Sequence, residues 1–173
     1  YVHGGAFRTS SASPKRFGGE QLAKKGVVYV NFNYRLGIFG NLALPELTTE
    51  SANKASGNYQ LLDIIHALKW VQRNIAKFGG DPNNVTISGQ SSGGIEMGML
   101  NVSPVAKGLF HKVVAQSGWP GPWANPPSLA THEQNGLKFM QVAGAANLAA
   151  LRQKTMAEIL TAMTNPTVTA ISP

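Results

Sequence analysis

The chain contains no cysteine, which excludes a disulfide framework and any thiolate metal site and leaves the cellular compartment unread. No apolar run approaches the ~20 residues of a membrane-spanning helix. The first residues, Tyr1-Val2-His3-Gly4-Gly5, lack the basic-then-apolar order of a secretory leader. Acidic residues are few: 8 Asp and Glu stand against 15 Lys and Arg, for a net charge of +7. The cations are scattered singly or in pairs from Arg8 to Lys154, and without a basic block the excess charge predicts no nucleic-acid partner. Neither a G-x-G-x-x-G run nor a glycine loop followed by lysine occurs, so the two common phosphate cradles are absent. What remains is globular: 173 residues, 43% hydrophobic and 13% charged, long enough for one core that buries roughly 70% of the unfolded surface.

The apolar pattern alternates between strand-like and helix-like stretches. Tyr1-Val2-His3 reads as the end of a strand. Gln21 to Lys25 reads as a helical turn stopped by Gly26, and Gly26 to Asn33 (GVVYVNFN) as a buried, β-branched strand. Leu61, Ile64, Ile65, Leu68, Val71, Ile75 and Phe78 recur three and four apart, the stripe of an amphipathic helix. Ser56 or Asn58 can cap its start, and Gly79-Gly80-Asp81-Pro82 ends it. Val85 to Ile87 and His111 to Gln116 read as short strands separated by a helix from Ser91 to Leu100. Such alternation predicts an α/β fold with a mostly parallel sheet flanked by helices and right-handed crossovers. Beyond Pro127 the pattern is helical only: 128–142, 147–153 and 155–163, the last opened by a Thr155–Glu158 capping box.

Two glycine-rich segments carry the chemistry. Gly89-Gln90-Ser91-Ser92-Gly93 fits the G-x-S-x-G elbow, in which a sharp strand-to-helix turn lifts the hydroxyl of Ser91 above the sheet edge. Glycines flank the serine because strand and helix backbones pass too close for a side chain. In a glycine-rich chain the pentad alone also fits an ordinary Gly/Ser loop capping a helix; its place between a predicted strand and helix favours the elbow. His3-Gly4-Gly5-Ala6-Phe7 is a small-residue turn after a strand, of the kind that offers amides to an oxyanion. Each preorganised donor at such a site is worth about 2.7–4 kcal/mol in an acyl-transfer transition state. The predicted donors are the amides of Gly5, Ala6 and Ser92, the last in the first turn of a helix, where unsatisfied N–H groups favour an anion.

The ordered segments HGGAF, NYRLGIFG, SGNYQLLDIIHALKWVQRNIAKFGGDPNNVTISGQSSGG and SPVAKGLFHKVVAQSG resemble the type-B carboxylesterase family, which includes cholinesterases and bacterial aryl esterases. The resemblance runs from residue 1 to about Trp123 and is loose from Asn125 onward. It implies an α/β-hydrolase fold, no cofactor and a small-molecule carboxylic ester as substrate. By motif it implies Ser91 as nucleophile, Gly5, Ala6 and Ser92 as oxyanion donors, Trp123 near the acyl pocket, Ser117 supporting the site from behind, and an Arg35–Asp63 ion pair. The family usually reads GESAG where this chain has GQSSG. Gln90 therefore removes a charge, which predicts altered pH dependence or substrate choice more than lost chemistry.

The fold's triad runs Ser, then Asp or Glu, then His, the last two on loops after later strands. Among the 82 residues after Ser91, Glu96 falls on the elbow helix, His111 opens a strand, and His132 and Glu133 share a predicted surface helix. None has the required placement. The expectation is an incomplete α/β-hydrolase domain: 1–124 a sheet core with oxyanion loop and elbow, 125–173 a helical excursion. Taken alone, the chain is expected to be inactive. The competing reading is a noncatalytic cholinesterase-like binding or adhesion domain. The sequons at Asn84 and Asn101 read as coincidence. Oligomeric state is not legible.

Overall fold

The structure is a computed structural model describing residues 1–118 and 127–169. Its elements, in chain order, are helices α1 (Pro14–Phe17), α2 (Glu20–Ala23), α3 (Gly37–Asn41), α4 (Pro45–Glu50) and α5 (Tyr59–Asn74), then strand β1 (Thr86–Gln90). Helix α6 (Ser92–Asn101) and strand β2 (Lys112–Gln116) follow, then α7 (Leu129–Val142), α8 (Leu148–Arg152), α9 (Met156–Met163) and α10 (Pro166–Thr169). They form two compact units over their described residues. One combines Tyr1–Leu36 with Gln60–Asn125, the other Gly37–Tyr59 with Pro126–Pro173.

In the first unit, β1 and β2 pair in parallel, from Thr86 opposite Lys112 to Gln90 opposite Gln116. Val2 bridges Gly89, also in parallel, and donates its N–H to Ser88 O at 2.8 Å. Ile64, Ile65 and Leu68, on one face of α5, pack with Ile87 of β1, Met97 and Leu100 of α6, Val2 and Tyr34. A 3₁₀ turn, Ile75–Phe78, continues α5 until Gly79 stops it at φ 81°. The elbow helix α6 is buried along seven of its ten residues, Ser92, Gly93, Gly94, Glu96, Met97, Gly98 and Leu100, so it is a core helix rather than an amphipathic one.

Residues 26–33 depart from the expected buried strand. No strand pairing occurs along them among the described residues, and Val27 and Val28 are 46% and 40% exposed. A strand is defined by its ladder partner, and among the described residues the backbone bonds here are Gly26 N to Ala23 O, Val27 N to Leu22 O and Tyr1 N to Val30 O. The segment is instead pinned by side chains, through Asn31 and Asn33. Strand β2 is also less buried than its sequence predicts, with Val114 44% exposed. Ser56 does not cap α5: its hydroxyl bonds Leu44 N at 3.2 Å and Thr48 Oγ1 at 2.8 Å. The Arg35–Asp63 pair is present and bidentate, at 2.8 and 2.7 Å, with a third bond of 3.0 Å from Arg35 N.

The second unit is helical among its described residues. Leu44, Phe139, Met140, Leu148, Leu151, Ile159 and Val168 make its apolar cluster. Helices α7, α8 and α9 begin on side-chain caps: Ser128 accepts from Thr131 N, Asn147 from Ala150 N, and Thr155 from Glu158 N.

Candidate active site

The chain turns between β1 and α6 on one residue. Ser91 has φ 56° and ψ −126°, a conformation that costs a non-glycine residue roughly 1–3 kcal/mol. The bend is held on both sides: Ser91 N donates to Gln116 O at 2.9 Å, and Ser91 O accepts from Ile95 N at 3.0 Å. A Cβ on Gly89 would strike the backbone of Gly93, and one on Gly93 would strike the carbonyl oxygens of Val2 and His3. The pentad's glycines are therefore required by close backbone approach.

The HGGAF segment lies against this bend. A Cβ on Gly4 would sit 2.6 Å from Gln90 O and 2.9 Å from Ser91 Cβ. The loop then runs through positive φ at Gly5, Ala6 and Phe7 (136°, 53° and 60°). Gly5 O accepts from Arg8 N and Thr9 N, each at 3.0 Å, and from Thr9 Oγ1 at 3.2 Å, so the turn is tied from within. None of the amides of Gly5, Ala6 and Ser92 donates a hydrogen bond among the described residues. Ser91 is half-buried and opens onto a cleft of about 490 Å³ lined with Gly4, Gly5, Ala6, Thr9, Ser10, Arg16, Phe17 and Gln90. Gln90 thus faces the cleft as the elbow's neutral neighbour. Ser117, at φ 49°, directly follows β2, and a Cβ on Gly118 after it would strike Ser91 O. Trp123 lies outside the described residues.

A buried polar group stands behind the elbow. His3 Nδ1 donates to Gly4 O at 2.8 Å, and its ring stacks on Tyr34 at 4.6 Å between centroids. Tyr34 Oη donates to His3 O at 2.6 Å. Glu96, on α6, is 0% exposed; burial pushes its carboxyl up to about 8, against the opposing pull of the Tyr34 hydroxyl. It is therefore a neutral acid at pH 7. Burial and the nearby Glu96 in turn drive the Tyr34 hydroxyl upward. His3 Nε2, Ser92 Oγ and both Glu96 oxygens have no hydrogen-bond partner among the described residues.

The histidines and acids after Ser91 stand elsewhere. His111 Nδ1 accepts from Val85 N at 3.1 Å, a structural tie at the start of β2. His132 is half-buried on α7 and Glu133 accepts from Thr48 Oγ1. No histidine or carboxylate is among the residues that line the cleft. Sequence reasoning missed Arg16 and Phe17 in the cleft wall. No local spacing signals them: the segment is drawn inward by Asn31 and Asn33, whose side chains bind Ala12 and Phe17. Sequence reasoning weighed Glu96 only as a triad acid and not as the buried carboxyl of a core helix.

Residues 1–172 match the Carboxylesterase family. The chain is 45% identical over 159 residues to fumonisin B1 esterase of Sphingopyxis macrogoltabida, covering 92% of this chain and 28% of that protein. It is 48% identical over 120 residues to para-nitrobenzyl esterase of Bacillus subtilis (strain 168), covering 68% and 24%. Human carboxylesterase 5A is 42% identical over 169 residues, covering 91% and 27%. Among solved structures, a thermophilic PNB esterase superposes with a TM-score of 0.81 at 37% identity, over 93% of this chain and 33% of that one. The chain thus spans about a quarter of the length of the curated relatives it matches. With an elbow, a facing glycine loop and a match along almost its whole length, the chain belongs to the carboxylesterase family.

Proposed function

We propose that this chain is the serine-bearing part of a carboxylic ester hydrolase, an incomplete α/β-hydrolase domain whose whole cleaves small-molecule esters through an acyl-serine. One observation carries the reading: Ser91, held at φ 56° between a parallel strand and a buried helix, opens onto the same cleft as Gly5 and Ala6. Ser91 Oγ attacks the ester carbonyl carbon. The carbonyl oxygen becomes an oxyanion, which the free amides of Gly5, Ala6 and Ser92 stabilise. Collapse of the tetrahedral intermediate expels the alcohol, and water later releases the acid from Ser91.

The proton of Ser91 needs a base, and none lines the cleft. In this reading the histidine, and the acid that orients it, come from residues beyond this chain. Gln90 flanks the nucleophile without charge, Ser117 buttresses the bend from the end of β2, and Trp123 contributes to the acyl pocket. The route draws on no cofactor. Esterase activity in the named relatives supports the reaction class, and the share of their length that this chain spans supports the division of the triad.

The test compares the 173-residue chain with the full-length protein on a 4-nitrophenyl ester. The full-length protein is expected to turn over and to take an organophosphonate covalently. Its Ser91→Ala variant is expected to lose at least ~10³-fold in kcat, and the short chain to be inactive. Full-length turnover that survives Ser91→Ala would remove Ser91 from the chemistry. Turnover by the short chain would place the base within these residues. A full-length protein that neither turns over nor takes the label would be a binding domain.

A further inference from the structure

The cleft before Ser91 holds a group that acyl transfer does not use. Of its lining residues, Arg16 alone carries a charge. Its guanidinium carbon stands 5.2 Å over the centroid of the Phe17 ring, and Phe17 lines the same wall. None of the ion pairs among the described residues involves Arg16. Gln90, the polar neighbour of the nucleophile, is neutral, so nothing in the wall offsets the positive charge.

The position of that charge is built, although the side chain itself is exposed. Asn31 Nδ2 donates to Phe17 O at 3.1 Å and to Ala12 O at 3.3 Å, and Ala12 N donates to Asn33 Oδ1 at 2.8 Å. The Phe17 ring packs on Tyr1 at 5.4 Å and on His3 at 6.2 Å. Helix α1, which is too short to hold itself in water, is therefore fastened at both ends and presents its guanidinium from a fixed base. A planar fork of N–H donors matches a carboxylate in charge and shape. A neutral ester gains nothing from it, and a cationic one is repelled.

We propose that Arg16 is a specificity-determining residue that favours esters carrying a carboxylate, which pairs with its guanidinium while Ser91 attacks the ester carbonyl. The proposal rests on the reading of Ser91 as nucleophile and adds to it the chemical class of the substrate.

The test measures kcat/KM of the full-length protein on two matched pairs. In one, 4-acetoxybenzoate against 4-acetoxybenzamide, the charge lies on the alcohol arm. In the other, mono-4-nitrophenyl adipate against the corresponding adipamide, it lies on the acyl arm. The carboxylate member of at least one pair is expected to lead by about tenfold, less at high ionic strength. In Arg16→Gln that ratio is expected to fall to about one, and in Arg16→Lys to be partly kept. A purely structural role would leave the ratio untouched. If wild type prefers the carboxylate in neither pair, or Arg16→Gln keeps the preference, while Ser91→Ala is dead on all four esters, the inference fails and the nucleophile stands. If Ser91→Ala retains turnover, the nucleophile reading fails and the inference falls with it.

Discussion

Ser91 sits at φ 56°, ψ −126°, where a Cβ crowds its own backbone. In the proposed mechanism the hydroxyl acts only at that bend, and the strain then serves chemistry rather than stability. Ser91→Gly removes the Cβ at the cost of extra freedom in the unfolded chain. It is expected to stabilise the full-length protein by about 1 kcal/mol, read as a higher urea midpoint at unchanged slope, while abolishing ester turnover. A loss of stability would mean that the backbone tolerates Ser91 without strain. The bend was legible because its glycines lie two residues either side of the serine: a Cβ on Gly89 would strike the backbone of Gly93, and one on Gly93 the carbonyl oxygens of Val2 and His3. Arg16 was not legible, because its approach to the elbow depends on side chains of Asn31 and Asn33, well along the chain, and no spacing rule encodes that contact.

Legibility follows the same division among the elements. Helix α5 carries its apolar face at helical spacing and ends at a left-handed glycine, so period and stop signal both lie within the helix. The GVVYVNFN run has strand composition without a ladder partner among the described residues, and pairing is a property of two segments. Helix α9 shows how much one cap can encode. Glu158 accepts from Thr155 N and from Thr155 Oγ1, each at 2.8 Å, while Thr155 Oγ1 accepts from Glu158 N at 3.3 Å. These bonds, with Lys154 beside them, hold the Glu158 carboxyl down at about 2. Thr155→Ala is expected to cost about 1 kcal/mol at pH 7. Because the Glu158 carboxyl is lowered from its ordinary 4.5, its share of the cap is complete above that pH and vanishes as pH falls toward 2. The destabilisation in thermal unfolding should therefore shrink across that acid window; a difference that stays constant with pH would leave the carboxylate out of the cap.

For the molecule as a whole, pH response is governed by where protons are held, and Glu96 holds one where water does not reach. It is 0% exposed on α6 with the Tyr34 hydroxyl nearby, and no cation is paired with it among the described residues. Its carboxyl titrates at about 8 in the fold against an ordinary 4.5. Between those values the folded protein keeps a proton that the unfolded chain has released, so each rise in pH favours unfolding. This contribution is intact below about 4.5, fades through neutrality and is fully lost above about 8. Glu96→Gln keeps the shape and removes the titration, leaving the surrounding packing intact. The variant is expected to match wild type at pH 5 and to melt several degrees higher at pH 9. Thermal unfolding of both full-length proteins at pH 5, 7 and 9 reads the effect directly. A difference independent of pH would show that Glu96 is already ionised in the fold, paired with a cation that the described residues do not include.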